Sequence, residues 1–263
     1  MIHPTAVVHP KAKLHPTVDV GPYAVIDEAV TLGAHCIVGP YVYLTGITHI
    51  GEHNRFFPGA VIGEAPQDLK YDGSPSALRI GDYNKFREHA TVHRSAKAGE
   101  ETVIGSHNLL MAGCHVAHDC RLGNYIIMAN GSMLGGHVIL DDHAIISGSS
   151  LVHQFVHVGT FALMQGGAAI SKDLPPYTVA RGNNGMCGLN TVGLRRAGFT
   201  AAQRMELKQL YRALFRTDTP FRTALEEARK RFSSPTAKVL LDFFAGSERG
   251  FCADRGRQAE EDD

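Results

Sequence analysis

The sequence carries no net charge: Lys and Arg together number 26, and Asp and Glu together number 26. It therefore has no chain-wide field of the kind that draws a basic protein to nucleic acid, and charged recognition has to be local. It has no CxxC pair, and its five cysteines, Cys36, Cys114, Cys120, Cys187 and Cys252, are odd in number. That pattern fits a reducing compartment better than a disulfide framework. The opening Met-Ile-His-Pro-Thr is not a basic segment followed by an apolar run, and no stretch approaches the length that spans a bilayer. The expectation is a cytoplasmic protein with no stable membrane insertion and no nucleic-acid partner. At 263 residues it has room for one large domain, or one domain with a small appendix, around a sizeable core.

What is present is a repeat. Steps of six from Ile2 reach Val8, Leu14, Val20, Ile26, Leu32, Val38, Leu44, Ile50, Phe56 and Ile62. The phase is lost at Asp68 and Ser74, returns at Ile80, Phe86 and Val92, and fails at Ala98. It then holds from Ile104 through Leu110, Val116, Leu122, Met128, Leu134, Leu140, Ile146, Val152, Val158 and Met164 to Ile170. Every one of these 26 slots is a large apolar residue in a chain that is 44% hydrophobic. Chance would give such a run on the order of once in a billion. A period of six suits neither a helix nor a simple strand, but it does suit a short strand followed by a turn. Ten slots are followed by Gly, among them Gly21, Gly81, Gly123 and Gly135, as tight corners need. Three hexapeptides per coil make a triangular prism, with 18 residues per turn and coils about 4.8 Å apart. The fold class expected is an all-β parallel β-helix of hexapeptide repeats over residues 1–186.

Two gaps interrupt the prism as loops, 63–79 and 93–103, and loops that leave a rigid scaffold are where binding residues collect. After Ile170 the pattern changes. Asp173-Leu174-Pro175-Pro176-Tyr177 stops the repeat, Arg181-Gly182-Asn183-Asn184-Gly185 is a loop, and a small α-helical domain is expected over 187–252. Helical sequence starts at Asn190. Thr200 caps a helix running to about Arg216, Thr219-Pro220 opens another to about Phe232, and Ser234-Pro235 opens a third. The polar segment 253–263 reads as a disordered tail. On the first of the capped helices, Arg204, Lys208, Arg212 and Arg216 recur every four residues, placing four positive charges on one face. Such a stripe is either a solvated face or a dock for an acidic partner.

Residues 18 apart lie one above another on successive coils. His118 then lies beneath Gly136, with Gln154 above both, and Asp119 lies beneath His137. One corner of the prism gathers His115, His118, Asp119, His137, His153 and Gln154 from three coils. An imidazole's ordinary pKa, near about 6.5, lets it accept a proton from a hydroxyl at neutral pH. Asp119 serves either to orient the neighbouring His118 or, because adjacent side chains on a strand diverge, to pair with His137. Gly136 exposes a backbone N–H one coil from His118, placed to stabilise an oxyanion formed from a thioester, an effect often worth about 3 kcal/mol. A base and an oxyanion donor without a protein nucleophile suggest direct attack by a substrate hydroxyl. Any one of the 15 histidines taken alone is more simply a solvent-facing corner residue. The stacked set is not.

The motifs Ile62-Gly-Glu-Ala-Pro-Gln-Asp-Leu-Lys-Tyr71, Thr91-Val-His-Arg94, Asn108-Leu-Leu-Met111, His115-Val-Ala-His-Asp-Cys120, Val152-His-Gln-Phe155 and Pro175-Pro-Tyr177 run through nearly the whole chain. On these residues the sequence resembles the UDP-N-acetylglucosamine O-acyltransferases, the first enzymes of lipid A biosynthesis. The resemblance implies a left-handed coil, against the usual right-handed crossover. It implies His118 as the general base that activates the sugar 3-hydroxyl toward a 3-hydroxyacyl thioester on acyl carrier protein, with Asp119 in support and the Gly136 amide as oxyanion donor. It further implies that Asp68, Lys70, His115, His137 and Gln154 hold the nucleotide sugar, that His153 lines the same cleft, and that Asn190 and Arg196 lie near the nucleotide and phosphates. Gly166 would set the acyl-chain length, the stripe from Arg204 to Arg216 would meet the acidic carrier protein, and the assembly would be a homotrimer with sites between prisms. No cofactor or metal is implied, since the acyl group arrives as a phosphopantetheine thioester.

Three features depart from the pattern expected of that family: Ala197 in place of a second basic residue, Ser95 in place of Gly, and the loop 182–187. All three are expected to bear on nucleotide contacts, and so on the choice between UDP-N-acetylglucosamine and its 3-amino analogue, but not on the base or the oxyanion donor. Two rival readings stand beside this one. Hexapeptide prisms also hold carbonic-anhydrase-like zinc, for which His115, His118 and His137 would be the ligands. Related N-acyl, acetyl or nucleotidyl transferases usually add a separate domain or use acetyl-CoA, whereas here the repeats begin at Ile2.

Overall fold

In the structure, a computed structural model describing residues 1–247 and 249–256, the strands form three sheets of nine, eight and eleven strands, parallel throughout the hexapeptide repeat. We number the faces in the order the chain visits them. Val7–Val8 opens the first face, Lys13–Leu14 the second and Asp19–Val20 the third. Most strands are only two residues long, the second residue being the inward slot. Of the 26 slots, only Ile2, Val8 and Leu14, at the open end of the prism, are not buried. Above the loops the register is 18 residues per coil: His115 pairs with Met133 and Met133 with Leu151 on the first face.

Corners turn because the third residue after many slots is left-handed. Asp119, Tyr125, His137 and His143 all have φ between 58° and 62°. For an L-residue this conformation is unfavourable, and it persists where neighbouring coils hold it in place. At the corner between the second and third faces the holding is visible as stacked rings: His35, His53, Tyr83, His107, Tyr125, His143 and Phe161 follow one another at 4.4–5.0 Å between centroids. Beside them runs a buried asparagine ladder. Asn54 Oδ1 accepts from the Asn84 amide N–H at 2.9 Å, Asn84 Oδ1 from Asn108 N–H at 2.9 Å, and Asn108 Oδ1 from Ile126 N–H at 2.7 Å. Each rung satisfies backbone donors that burial would otherwise leave unpaired.

The two loops leave from the first face and return to the second. Flanking strands reach further than expected, to Glu64 and from Ala77 at the first loop and to His93 and from Glu101 at the second. The irregular segments are therefore 65–76 and 94–100. At the far end, Thr178–Arg181 and Gly185–Leu189 form an antiparallel pair that extends the third face. The boundary expected at 186/187 thus falls inside a strand. Four helices follow, α1 (Thr191–Arg196), α2 (Ala201–Phe215), α3 (Phe221–Arg231) and α4 (Pro235–Phe243), around Leu207, Leu210, Leu214, Ala228 and Leu240. Thr200 and Gln203 form a reciprocal capping box on α2, and Ser234 caps α4 with Pro235 at its first position. For α3 the cap is Pro220 itself, not Thr219, and it has no side-chain bond to give.

The expected disordered tail needs correction. Ala253–Asp254 is a strand, parallel to Gly185–Met186, and Asp254 accepts from Arg216 Nε at 3.1 Å. Polarity misled here because the segment is held by backbone pairing and one ion pair rather than by apolar burial. The rest of that expectation, 257–263, lies outside the described residues. Among the described residues no helix is long and apolar enough to cross a membrane.

Candidate active site

The corner between the first and second faces carries the chemistry. His115 ends the corner-side approach to Val116, and His118 and Asp119 occupy the turn beyond it. Asp119 has φ 61°, so its side chain does not diverge from that of His118 as strand alternation would require. The left-handed turn swings it back: His118 Nδ1–H donates to Asp119 Oδ2 at 2.7 Å, while His137 Nε2 stands 3.6 Å from the same oxygen. The alternatives left open by the sequence are both realised, with His118 the closer. An acceptor-only carboxylate at Nδ1 selects the tautomer of the neutral ring in which Nε2 is the acceptor.

The Nε2 edge of the ring meets Gly136. A Cβ there would stand 2.7 Å from His118 Cε1 and 2.8 Å from Nε2, so only glycine lets the imidazole approach the backbone this closely. The neighbouring amides are spent on the coil, Gly135 N–H on Val152 O and His137 N–H on His118 O. The Gly136 N–H has no protein acceptor among the described residues.

Burial sets the protonation of the surrounding imidazoles. His115 is pushed below the usual histidine range, first by burial and then by His118; its Nδ1 lies 2.7 Å from Thr91 Oγ1. Beneath it is His93, 5% exposed, edge-on to His115 at 4.8 Å between centroids and pushed down to about 4, chiefly by burial. His93 Nδ1 is buried without a hydrogen-bond partner. His137 is also lowered by burial, with Asp119 opposing, and stacks on Phe155 at 4.4 Å. For Asp119 burial acts upward, but hydrogen bonds from Ser95 and His118 and the charge of His137 outweigh it, so its carboxyl lies below the ordinary range.

His115, His118, Gly136, His153 and Gln154 line one cleft of about 690 Å³. Its floor, which the sequence reading did not anticipate, is apolar: Met133, Leu151 and Ala169 stand one above another on the outer side of the first face. The available signal was three apolar residues at spacings of 18, each one place before a slot. Gln67 reaches the cleft from the first loop, and Asn183 and Asn184 from the loop 182–187. Asp68 is close enough for its charge to act on His137, whereas Lys70 is exposed on the loop, its N–H bonded to Asp68 Oδ1 at 2.9 Å.

Other expected residues stand apart from this cleft. Gly166 is at the far edge of the same face, where the third face turns into the first. Asn190 is buried as the cap of α1, accepting from Gly193 N–H at 3.0 Å and donating to Phe161 O at 2.9 Å; Arg196 is exposed in the last turn of that helix. On α2, Lys208 and Arg212 are exposed, but Arg204 donates to Phe199 O and Arg216 pairs with Asp254. The stripe is thus partly engaged within the chain. Ser95, expected to bear on nucleotide contacts, instead donates from Oγ to Asp119 Oδ1 at 2.5 Å. Among the described residues, the trio whose ligand atoms converge, within 4.8 Å of one another, is His118, Asp119 and His137 rather than the His115, His118 and His137 of the zinc reading.

Comparison with known proteins extends this geometry. Residues 173–252 match the family model described as "Udp N-acetylglucosamine O-acyltransferase; Domain 2", and 101–136 match "Bacterial transferase hexapeptide (six repeats)". An acyl-(acyl-carrier-protein)–UDP-N-acetylglucosamine O-acyltransferase of Synechocystis is 48% identical over 82% of this chain and 78% of its own length. One from Thermodesulfovibrio yellowstonii is 41% identical over 95% of this chain and 98% of its own. The crystal structure of a UDP-N-acetylglucosamine acyltransferase from Bacteroides fragilis, 40% identical, superposes with a TM-score of 0.91 over 95% of this chain and 99% of that one. The fold is accordingly a left-handed parallel β-helix followed by a small helical domain, as the resemblance implied. Identity at this level over nearly the whole length, joined to the same fold, leaves one placement: the chain belongs to the UDP-N-acetylglucosamine O-acyltransferase family.

Proposed function

We propose that this protein transfers a 3-hydroxyacyl chain from acyl carrier protein to the 3-hydroxyl of UDP-N-acetylglucosamine in the cytoplasm, opening lipid A biosynthesis. The observation that carries this reading is the His118–Asp119 pair set against Gly136 at the edge of an apolar cleft. His118 Nε2 takes the proton of the sugar hydroxyl as its oxygen attacks the thioester carbon. Asp119 stabilises the imidazolium that results, and the Gly136 N–H stabilises the oxyanion. Collapse expels the phosphopantetheine thiolate, which takes the proton back from His118. Base, oxyanion donor and activated ester complete the reaction without a cofactor. Zinc analysis of the purified protein tests that part: a stoichiometric metal would count against it.

In this reading His115, His137, His153, Gln154, Asp68 and Lys70 hold the nucleotide sugar, and the acyl chain lies over Met133, Leu151 and Ala169 toward Gly166. A homotrimer accounts for the residues that stand apart. On the upper coils, outward side chains of the third face, Leu109, Ile127, Ile145 and Leu163, are apolar, as are Met133, Leu151 and Ala169 on the first, whereas the second face presents Arg79, Arg121 and His157 with Ile139 among them. The corner between the two apolar faces is small-residue sequence, Gly148-Ser149 and Gly166-Gly167. Packing three copies about that corner sets one chain's first face against a neighbour's third, bringing the neighbour's Asn190 and Arg196 over the cleft. Lys208 and Arg212 then remain for the carrier protein, with Arg204 and Arg216 at the ends of the stripe.

The test is an acyl-transfer assay with UDP-N-acetylglucosamine and its 3-amino analogue against carrier-bound 3-hydroxyacyl chains of graded length. Transfer to the 3-hydroxyl is expected; absence of transfer from every chain to either sugar would refute the reading. Mixing His118→Ala with Arg196→Ala chains, then unfolding and refolding them together, should restore part of the activity if sites form between copies.

A further inference from the structure

The three consecutive residues His93, Arg94 and Ser95 each reach a different part of the site. His93 lies against His115. The Arg94 guanidinium donates to Gly63 O at 2.8 Å and to the Tyr71 hydroxyl at 3.3 Å, holding the loop that carries Asp68 and Lys70. Ser95 is fully buried, and its Oγ lies 2.5 Å from Asp119 Oδ1. Its main chain is clamped to the first loop's return: Ser95 N–H donates to Ala77 O at 3.1 Å, and its carbonyl accepts from the Ser76 hydroxyl.

An ionised carboxylate only accepts, so the Ser95 hydroxyl must donate to it. Oγ in turn accepts the Lys97 N–H at 3.0 Å, which sets the hydroxyl's direction and polarises it. The other carboxylate oxygen, Oδ2, faces His118 Nδ1 at 2.7 Å and receives the Ala96 N–H at 3.3 Å. With one oxygen held by Ser95 and the other by its two donors, the carboxylate cannot rotate without losing a charge-assisted bond. Glycine at 95, the residue expected from the resemblance, supplies no hydroxyl, so Asp119 Oδ1 would lose this donor.

We propose that Ser95 is a positioning residue of the acyl transfer, fixing the Asp119 carboxylate toward His118 and coupling that orientation to the loop bearing Asp68 and Lys70. The assignment rests on the acyl-transfer reading, with His118 as base, and adds to it a contact peculiar to a serine at this position. A hydrogen bond to a charged group has a net worth equivalent to roughly a tenfold or greater change in rate.

The experiment is a double-mutant cycle on the full-length protein, with kcat and the KM for the nucleotide sugar measured for Ser95→Ala, Asp119→Ala and the pair. Ser95→Ala should lower kcat about tenfold and leave KM within about twofold, and Ser95→Thr should restore most of the loss. In the Asp119→Ala background the second substitution should add no further loss, since its effect passes through the carboxylate. Ser95→Gly removes the same hydroxyl and replaces Ser95→Ala should the latter not fold. A kcat within about twofold of the parent, or a full loss retained in the Asp119→Ala background, would overturn the assignment. An inactive His118→Ala beside an unaffected Ser95→Ala sinks this assignment alone, whereas an active His118→Ala sinks the acyl-transfer reading itself.

Discussion

Two corners of one prism use the same backbone and do different things with it. Between the second and third faces, the left-handed position is filled on coil after coil by rings, and His53, His107 and His143 are each sandwiched in a stack that His35 begins. Between the first and second faces, the same position holds Asp119, His137 and Phe155. His137 and Phe155 begin a stack, and Asp119 ends it. A carboxylate cannot continue a column of rings, so it turns to the imidazole beside it, His118, which lines the cleft. A corner histidine in this fold is a structural residue by default; it becomes chemical where the column is broken by charge.

The sharpest test of the contrast is one substitution at each corner. His118→Ala should lower acyl transfer by about 10³-fold or more, with the melting temperature unchanged, while His143→Ala should leave turnover near that of the parent. Equal losses of activity would erase the distinction.

Protonation separates the corners next. His93 is neutral in the folded protein down to about pH 4, whereas in the unfolded chain it binds a proton near 6.5. Its contribution therefore makes folding less favourable as pH falls from about 6.5 to 4, by up to about 3 kcal/mol. Melting curves at pH 7 and pH 5 should show the loss, and His93→Leu should flatten it. An equally steep pH dependence in the variant would place the titration elsewhere.

Gly166 tests how far the cleft extends along the first face. Within the chain a Cβ there meets only Gly148 O, at 3.5 Å, an ordinary contact, so Gly166→Met is compatible with the chain's own packing. It should shift preference toward shorter acyl chains by about tenfold, one or two methylenes being worth that much in an apolar site. An unchanged chain-length profile would detach Gly166 from the acyl path. The smallest effect belongs to the inert column: Tyr125→Ala should cost about 1 kcal/mol of stability, read by denaturant unfolding, with activity intact.

The prism was legible because a six-residue period leaves no other way to bury so many apolar slots, and the 18-residue step by itself places His118 under Gly136. The Asp119–His118 contact was not decidable, because strand alternation predicts divergence and nothing in the letters marks position 119 as left-handed. Met133, Leu151 and Ala169 are not marked as a chain path by the period, because an apolar residue one place before a slot is as common on a solvent-facing or subunit-facing strand as in a cleft. The Ser95–Asp119 contact is not legible in the letters, because a loop's return contact is set by tertiary packing rather than spacing. The strand at 253–254 escaped for the same reason: its partner, 185–186, is far away in sequence.

The asparagine ladder has a further consequence. Its rungs, Asn54, Asn84 and Asn108, belong to the coils between which the two loops depart, where successive steps are 30 and 24 residues instead of 18. The coil spacing there is fixed by side-chain amides on the far corner and does not depend on how much chain is spooled out at the loop. Extra chain inserted in either loop, clear of Asp68, Lys70 and Tyr71 in the first and of Arg94, Ser95 and Ala96 in the second, would therefore meet a scaffold already in register, and the base and its oxyanion donor above would keep their distance.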